Sequence, residues 1–206
     1  MNPKKLEPVY QFKITLRDTT PLVWRRIQVP SSYSFWDLHV AIQDAMGWTD
    51  SHLHMFRVRS MNKRKEVNIG IPDENFDDIE ILAGWEIPLF RFFWKPGVQG
   101  AYEYDFGDSW EHEILLEGIL IPEAGMQYPR CLAGENACPP EDCGGIGGYY
   151  NLLGIIQDPS HEEYEETILW LESMVPGNVP FDSRKIDPEK VHFDNPKKRF
   201  NNLNLA

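Results

Sequence analysis

No hydrophobic run in the sequence is long enough to cross a bilayer: even the aromatic stretch from Ile87 to Trp94 is broken by Pro88 and Arg91, against the roughly 18 or more apolar residues a span requires. The first residues, Met1-Asn2-Pro3-Lys4-Lys5-Leu6-Glu7, contain no apolar core of the kind a secretory signal needs, so export is not expected. Basic residues are scarce. Twenty Lys and Arg face 32 Asp and Glu, for a formal charge of −12, and the resulting field repels phosphate backbones and anionic membrane surfaces. Nonspecific nucleic-acid binding is therefore disfavoured, and the short runs Lys63-Arg64-Lys65 and Lys197-Lys198-Arg199 read as solvated loops. Cysteine is rare as well: three residues, an odd number, make no disulfide framework and fit a cytoplasmic chain whose thiols are free or bind metal. Internal repeats and low-complexity tracts are absent. The glycine-rich run Gly144-Gly145-Ile146-Gly147-Gly148 lacks the Lys-Ser/Thr of a phosphate loop and reads as a tight turn into a helix.

What is present can build one core. Apolar residues make up 42% of the 206 and aromatics 13%, enough to offset the chain entropy of ordering a single domain over residues 1–206. Val9 to Arg17 alternates with Tyr10, Phe12, Ile14 and Leu16 on one face, and Val23 to Val29 pairs with it as a hairpin, although Arg25 breaks the second pattern. Ser34 with Asp37 starts a helix carrying Phe35, Leu38, Ile42 and Ala45 to a stop at Gly47. His52 to Arg59 is strand-like and, if extended throughout, sets His52, His54, Phe56 and Val58 on one side. Asp73 to Asp78 reads as loop, and Ile79 to Trp94 fits both strand and helix periods.

Tyr102-Tyr104-Phe106 and Trp110-His112-Ile114-Leu116 form two strands of a hairpin. A three-residue loop of Gly107-Asp108-Ser109 would oppose Tyr104 with His112 and keep one face apolar. Beyond a Pro- and Gly-rich segment, Tyr149 to Ile156 is a short helix, and a Ser160/Glu163 capping box begins another with Tyr164, Ile168 and Leu171 buried. Asp187-Pro188 and Asn195-Pro196 look like helix starts, with Val191, Phe200 and Leu203 as docking residues. The expected architecture is α+β: a mainly antiparallel sheet of hairpins, one helix in the N-terminal half and a C-terminal helical segment.

Chemistry-bearing residues gather in three segments. In the hairpin, Tyr104, Asp105, Gly107, Asp108, Trp110 and His112 bring carboxylates and an imidazole together, as acid–base catalysis or a metal would require. Turn-amide hydrogen bonds from the aspartates and a satisfied core histidine explain the same residues without any reaction. Cys131, Cys138 and Cys143, six and four residues apart, do not have zinc-ribbon spacing, yet with His52, His54 or His112 they would complete a tetrahedral set, which makes zinc the candidate cofactor. The competing reading is small buried thiols in a rigid loop that also carries Glu141 and Asp142. Asp105-Phe106-Gly107 coincides with the kinase magnesium tripeptide, but a glycine-rich phosphate loop and a His-Arg-Asp segment are both missing.

Three motifs, Trp48-Thr49-Asp50-Ser51-His52-Leu53-His54-Met55-Phe56, Tyr104-Asp105-Phe106-Gly107-Asp108-Ser109-Trp110-Glu111-His112 and Pro139-Pro140-Glu141-Asp142-Cys143-Gly144-Gly145, together resemble the plasmid pRiA4b ORF-3-like family over most of the chain. The resemblance implies an α+β fold shared with bacterial and archaeal proteins found near mobile elements, and no established activity. Three functions then compete: a non-enzymatic binding or adaptor module with a protein partner, a metal-dependent hydrolase-like enzyme built on the Asp/His/Cys cluster, and an accessory role in DNA transactions. The acidic charge argues against the last.

Overall fold

The computed structural model describes residues 7–61, 65–72, 79–179 and 181–203. The expected loop at Asp73–Asp78 and most of the Lys63-Arg64-Lys65 run lie outside them.

Among the described residues eight strands form one sheet: β1 (Val9–Leu16), β2 (Val23–Pro30), β3 (His54–Arg59), β4 (Glu66–Gly70), β5 (Ile81–Ala83), β6 (Gln99–Tyr104), β7 (Trp110–Leu120) and β8 (Arg130–Glu135). Their order is β5-β4-β3-β6-β7-β1-β2-β8, with every neighbour antiparallel except β4 and β5. The alternation in β1 is realised in full, with Phe12, Ile14 and Leu16 wholly buried. On the opposite face Arg57 pairs with Glu103 and Glu111, and Arg26 with Glu117. One side of the sheet is thus core and the other a solvated layer of charge pairs.

Helix α1 (Phe35–Met46) lies on the core face. Its start and stop are those the sequence dictates: the Ser34 and Asp37 side chains each accept from the other's backbone N–H, and Gly47 closes the helix at φ 89°. Phe35 meets Phe56 edge-on at 5.1 Å, and Phe93 meets Phe12 at 4.9 Å, so the helix and the Leu89–Arg91 turn share one aromatic core. Trp36, on the far side, is also buried. It is covered by α4 (Pro196–Asn201), where the Trp36 indole donates to Pro196 O at 3.0 Å and packs on Phe200. The ambiguous Ile79–Trp94 stretch resolves into β5 and two single 3₁₀ turns.

Four expectations need correction. The β6–β7 hairpin opposes Tyr104 with Trp110 and Tyr102 with His112, two residues from the expected register, because its loop is five residues, Asp105–Ser109. Asp105 and Ser109 both take left-handed backbone, and the Asp105 carboxylate accepts from Gly107 N at 2.9 Å, so the side chain builds the turn. A shift of two preserves the faces, which is why the apolar face survives the error. His52 precedes β3 and does not share the face of His54. The Ser160/Glu163 capping box does not form. Ser160 hydrogen-bonds Asp158 instead, and α3 (Tyr164–Met174) starts without a side-chain cap. Finally, Lys197-Lys198-Arg199 is not a solvated loop but part of α4, and Arg199 binds Asp44 at 2.6 Å and Asp194.

Arg25, the residue that broke the β2 pattern, is 1% exposed. Among the described residues its guanidinium has no carboxylate partner. It donates to four carbonyls, Ala45 at 2.9 Å, Trp24 at 2.8 Å, Glu135 at 3.1 Å and Asn136 at 2.9 Å, tying the end of α1 to the end of β8. Removing it would orphan buried acceptors and open a void. Arg25→Leu is expected to lower unfolding stability by about 3 kcal/mol or more in urea denaturation, whereas Arg17→Leu, on the solvated face, should change it by less than about 1 kcal/mol.

Candidate functional site

Three segments meet at one end of the sheet: the turn Trp48–Leu53 after α1, the hairpin loop Asp105–Ser109, and Pro139–Gly144 before α2 (Gly145–Gln157). Glu141 joins them. Its carboxylate is 6% exposed and accepts from Thr49 N at 2.9 Å, from the Thr49 hydroxyl at 2.5 Å and from the Tyr104 hydroxyl. Tyr104 in turn accepts from Ser51 N at 2.9 Å, and its ring stacks under Trp48 at 5.0 Å. The Trp48 indole closes the ring by donating to Pro139 O at 2.9 Å. Asp105 N donates to Leu53 O at 2.9 Å, and Asp108 accepts from Gly144 N at 3.1 Å. The helix N-terminus therefore faces a carboxylate of this same chain. A Cβ on Gly148 would lie 1.8 Å from Cys143 O, and one on Gly145 would lie 2.6 Å from Asp108 O, so the glycine run serves close approach.

This scaffold brings His52, Asp105 and Asp142 together. His52 Nε2 is 3.0 Å from Asp142 Oδ1 and 3.6 Å from Asp105 Oδ2, and the three potential ligand atoms lie within 4.8 Å of one another. Asp105 and Asp142 both have left-handed backbone, at φ 56° and 58°. Ligands about 2.1 Å from a common ion stand roughly 3.0–3.4 Å apart, close to the two measured edges. The His52 Nε2 atom is itself shielded from solvent and faces both carboxylates.

The remaining expected ligands are placed elsewhere. Among the described residues no other group of three His, Cys, Asp or Glu side chains shows metal spacing, and none includes a cysteine. Cys138 is buried near Arg25, and burial pushes its thiol, and that of Cys131, up. Cys143, half-buried beside Asp108, is raised to about 12 by desolvation. These are protonated thiols at neutral pH. His54 stacks on His39 at 3.5 Å within the core. His112 is fully buried against Trp48, its Nδ1 directed at Trp110 O at 3.0 Å. Of the named motif residues, Trp110 is a core side chain under Trp48, and Gly107 and Asp108 shape the loop.

Sequence reasoning missed a second polar constellation. His39, wholly buried, lies 2.7 Å from Asp50 Oδ1 through Nε2 and 2.9 Å from the Tyr102 hydroxyl through Nδ1. Gln43 donates to the same hydroxyl at 2.9 Å and accepts from Asp50 N at 3.1 Å, closing a ring. Arg199 approaches Asp50 at 3.9 Å from α4. Burial raises Asp50 to about 6 and holds His39 well below the ordinary imidazole range. The available signal was the i, i+4 pair His39 and Gln43 among the buried positions of α1.

His112 gives this region a pH signature. Desolvation lowers its pKa to about 4, below the ordinary 6.5, so the unfolded chain takes up the proton more readily. Stability from this group is complete above pH 6.5 and is lost as pH falls toward 4, by at most about 3 kcal/mol. Denaturation at pH 7 and pH 4.5 should show this loss, reduced in His112→Phe.

The model of the plasmid pRiA4b ORF-3-like protein family matches residues 8–190. The uncharacterised protein y4hQ of Sinorhizobium fredii is 40% identical over 166 residues, covering 80% of this chain and 81% of its own. The crystal structure of MM3350 from Methanosarcina mazei Go1, a protein of unknown function, matches with a TM-score of 0.79 and 38% identity over 92% of this chain and 100% of that one. The matched span contains the turn, the hairpin loop and the Pro139–Gly144 segment, and the chain belongs to the plasmid pRiA4b ORF-3-like family.

Proposed function

We propose that this chain is a metal-dependent enzyme of hydrolytic type, with His52, Asp105 and Asp142 as the ligands of one divalent ion. The observation that carries the reading is the convergence of these three side chains from separate segments, with His52 Nε2 facing both carboxylates. One imidazole and two carboxylates suit a first-row divalent ion, zinc, manganese or iron. Three protein ligands leave positions open for water and substrate, the pattern of catalytic rather than structural sites. A bound ion would supply a Lewis acid and a water of lowered pKa. The chain's part is to hold the ligands: the hairpin turn aims Asp105, and the Glu141 anchor keeps Asp142 beside His52.

A second reading, a binding module with a protein partner, is favoured by one observation. Ile119, Leu120, Ile121 and Met126, at the end of β7 and in the following loop, are each exposed, Ile121 at 81%. The two readings use different surfaces. Under both, the acidic balance disfavours nucleic acid as the partner.

Elemental analysis of untagged protein purified without chelators should find about one divalent ion per chain. His52→Ala and Asp105→Asn should each leave less than a tenth of that. Glu141→Gln, which sets an amide against donors, should weaken metal binding by about tenfold or more. Cys131→Ser should retain the ion. Full metal content in His52→Ala contradicts the assignment.

A further inference from the structure

Arg25 is a buried cation that the fold leaves without an anion. Its Nε and Nη1 are taken by the four carbonyls that tie α1 to β8, but Nη2 has no hydrogen-bond partner among the described residues. Burial lowers its pKa, and the neighbours that oppose this shift are the thiols of Cys138 and Cys131 rather than a carboxylate. Those thiols are themselves pushed up by burial and stay neutral, so the charge is not offset. An ion at that depth is costly unless an opposite charge joins it. Arg25 also lines a cavity of about 380 Å³ between the end of α1, the loop at 137–141 and the chain that follows α3. Met46, Trp48, Met174, Phe181 and Ile186 make much of its wall apolar. Two other charged groups reach it. Glu141 is already held by Thr49 and Tyr104 and is not among the charges that act on Arg25. Lys185 is exposed, its ammonium on Gly177 O at 2.5 Å. A guanidinium with a free donor, in an otherwise apolar cavity of this size, is the complement of a small carboxylate with a hydrocarbon body.

We propose that this cavity is a binding site for small monocarboxylates with an aliphatic or aryl tail. One carboxylate oxygen accepts from Arg25 Nη2, and the tail lies against Trp48, Met174 and Phe181. The ligand thereby supplies the anion that the fold omits, so a neutral isostere loses most of the affinity. Glu141 on the same wall disfavours a second carboxylate, which restricts the class to molecules with one. None of His52, Asp105 and Asp142 lines the cavity, and the site does not depend on the metal reading.

The test is a titration of the full chain at pH 7 with 4-phenylbutyrate and with its neutral amide, 4-phenylbutanamide, followed on the Trp48 indole N–H resonance. The carboxylate should shift the resonance saturably and bind about tenfold or more tightly than the amide. Ile186→Trp, which fills the cavity from a half-buried position on its wall, should abolish binding of both probes. Arg25→Leu should reduce the carboxylate to the affinity of the amide, and if that variant does not fold, the two probes and Ile186→Trp still decide the outcome. His52→Ala should bind the carboxylate as the parent chain does. No saturable shift, or equal binding of the two probes, overturns the proposal, as does a carboxylate preference that survives Ile186→Trp. Loss of the preference in His52→Ala also overturns it, because the carboxylate would then be held by a metal ion at His52, which supports the metal reading instead.

Discussion

Glu141 places a carboxylate where almost no water reaches, with no ion-pair partner among the described residues, and the surrounding chain is arranged to hydrogen-bond it. Thr49 supplies a backbone N–H and a hydroxyl, and Tyr104 a second hydroxyl. A buried anion with fewer donors would cost several kcal/mol, so the three segments that provide them cannot move apart independently. The turn after α1, the hairpin and the Pro139–Gly144 loop are locked in register by that requirement. His52, Asp105 and Asp142 ride on those segments, and their proximity follows from the lock rather than from attraction among themselves.

The lock depends on a rigid surrounding. Trp48 covers Tyr104, Trp110 and His112, and its indole is fixed to Pro139. Arg25 holds the end of α1 to the end of β8, from which the loop departs. On the other side of α1, the ring of His39, Tyr102, Gln43 and Asp50 fixes the turn that leads to His52, and Arg199 closes over it from α4. A fully satisfied polar ring of this kind sets one arrangement of the turn, since any other leaves buried groups unpaired.

The parts of the fold legible in the sequence were those governed by local rules. The alternation in β1, the capping box at Ser34 and the Gly47 stop are each decided within a few residues and appear as expected. The hairpin register failed because Asp105 builds its own turn, an effect of one side chain that periodicity does not carry. Ser160 failed as a cap because a nearer acceptor, Asp158, was available. Of the site, His52, Asp105 and Asp142 were all named, but they were distributed between two groups, and cysteines were expected among the ligands. Which residues meet is set by long-range pairing of β3 with β6 and by the Glu141 anchor, neither of which spacing reveals. His39 and Arg199 were hidden by their surroundings, one among the buried residues of α1 and the other in a basic run.

The central claim is that an ion, when present, binds His52 and not the buried histidines or the thiols. The most direct measurement is ¹⁵N NMR of imidazole-labelled protein titrated with zinc. The account predicts that the His52 Nε2 resonance moves to a metal-bound position at one equivalent, while His39, His54 and His112 stay in place. Saturable zinc binding that leaves His52 unchanged would contradict it.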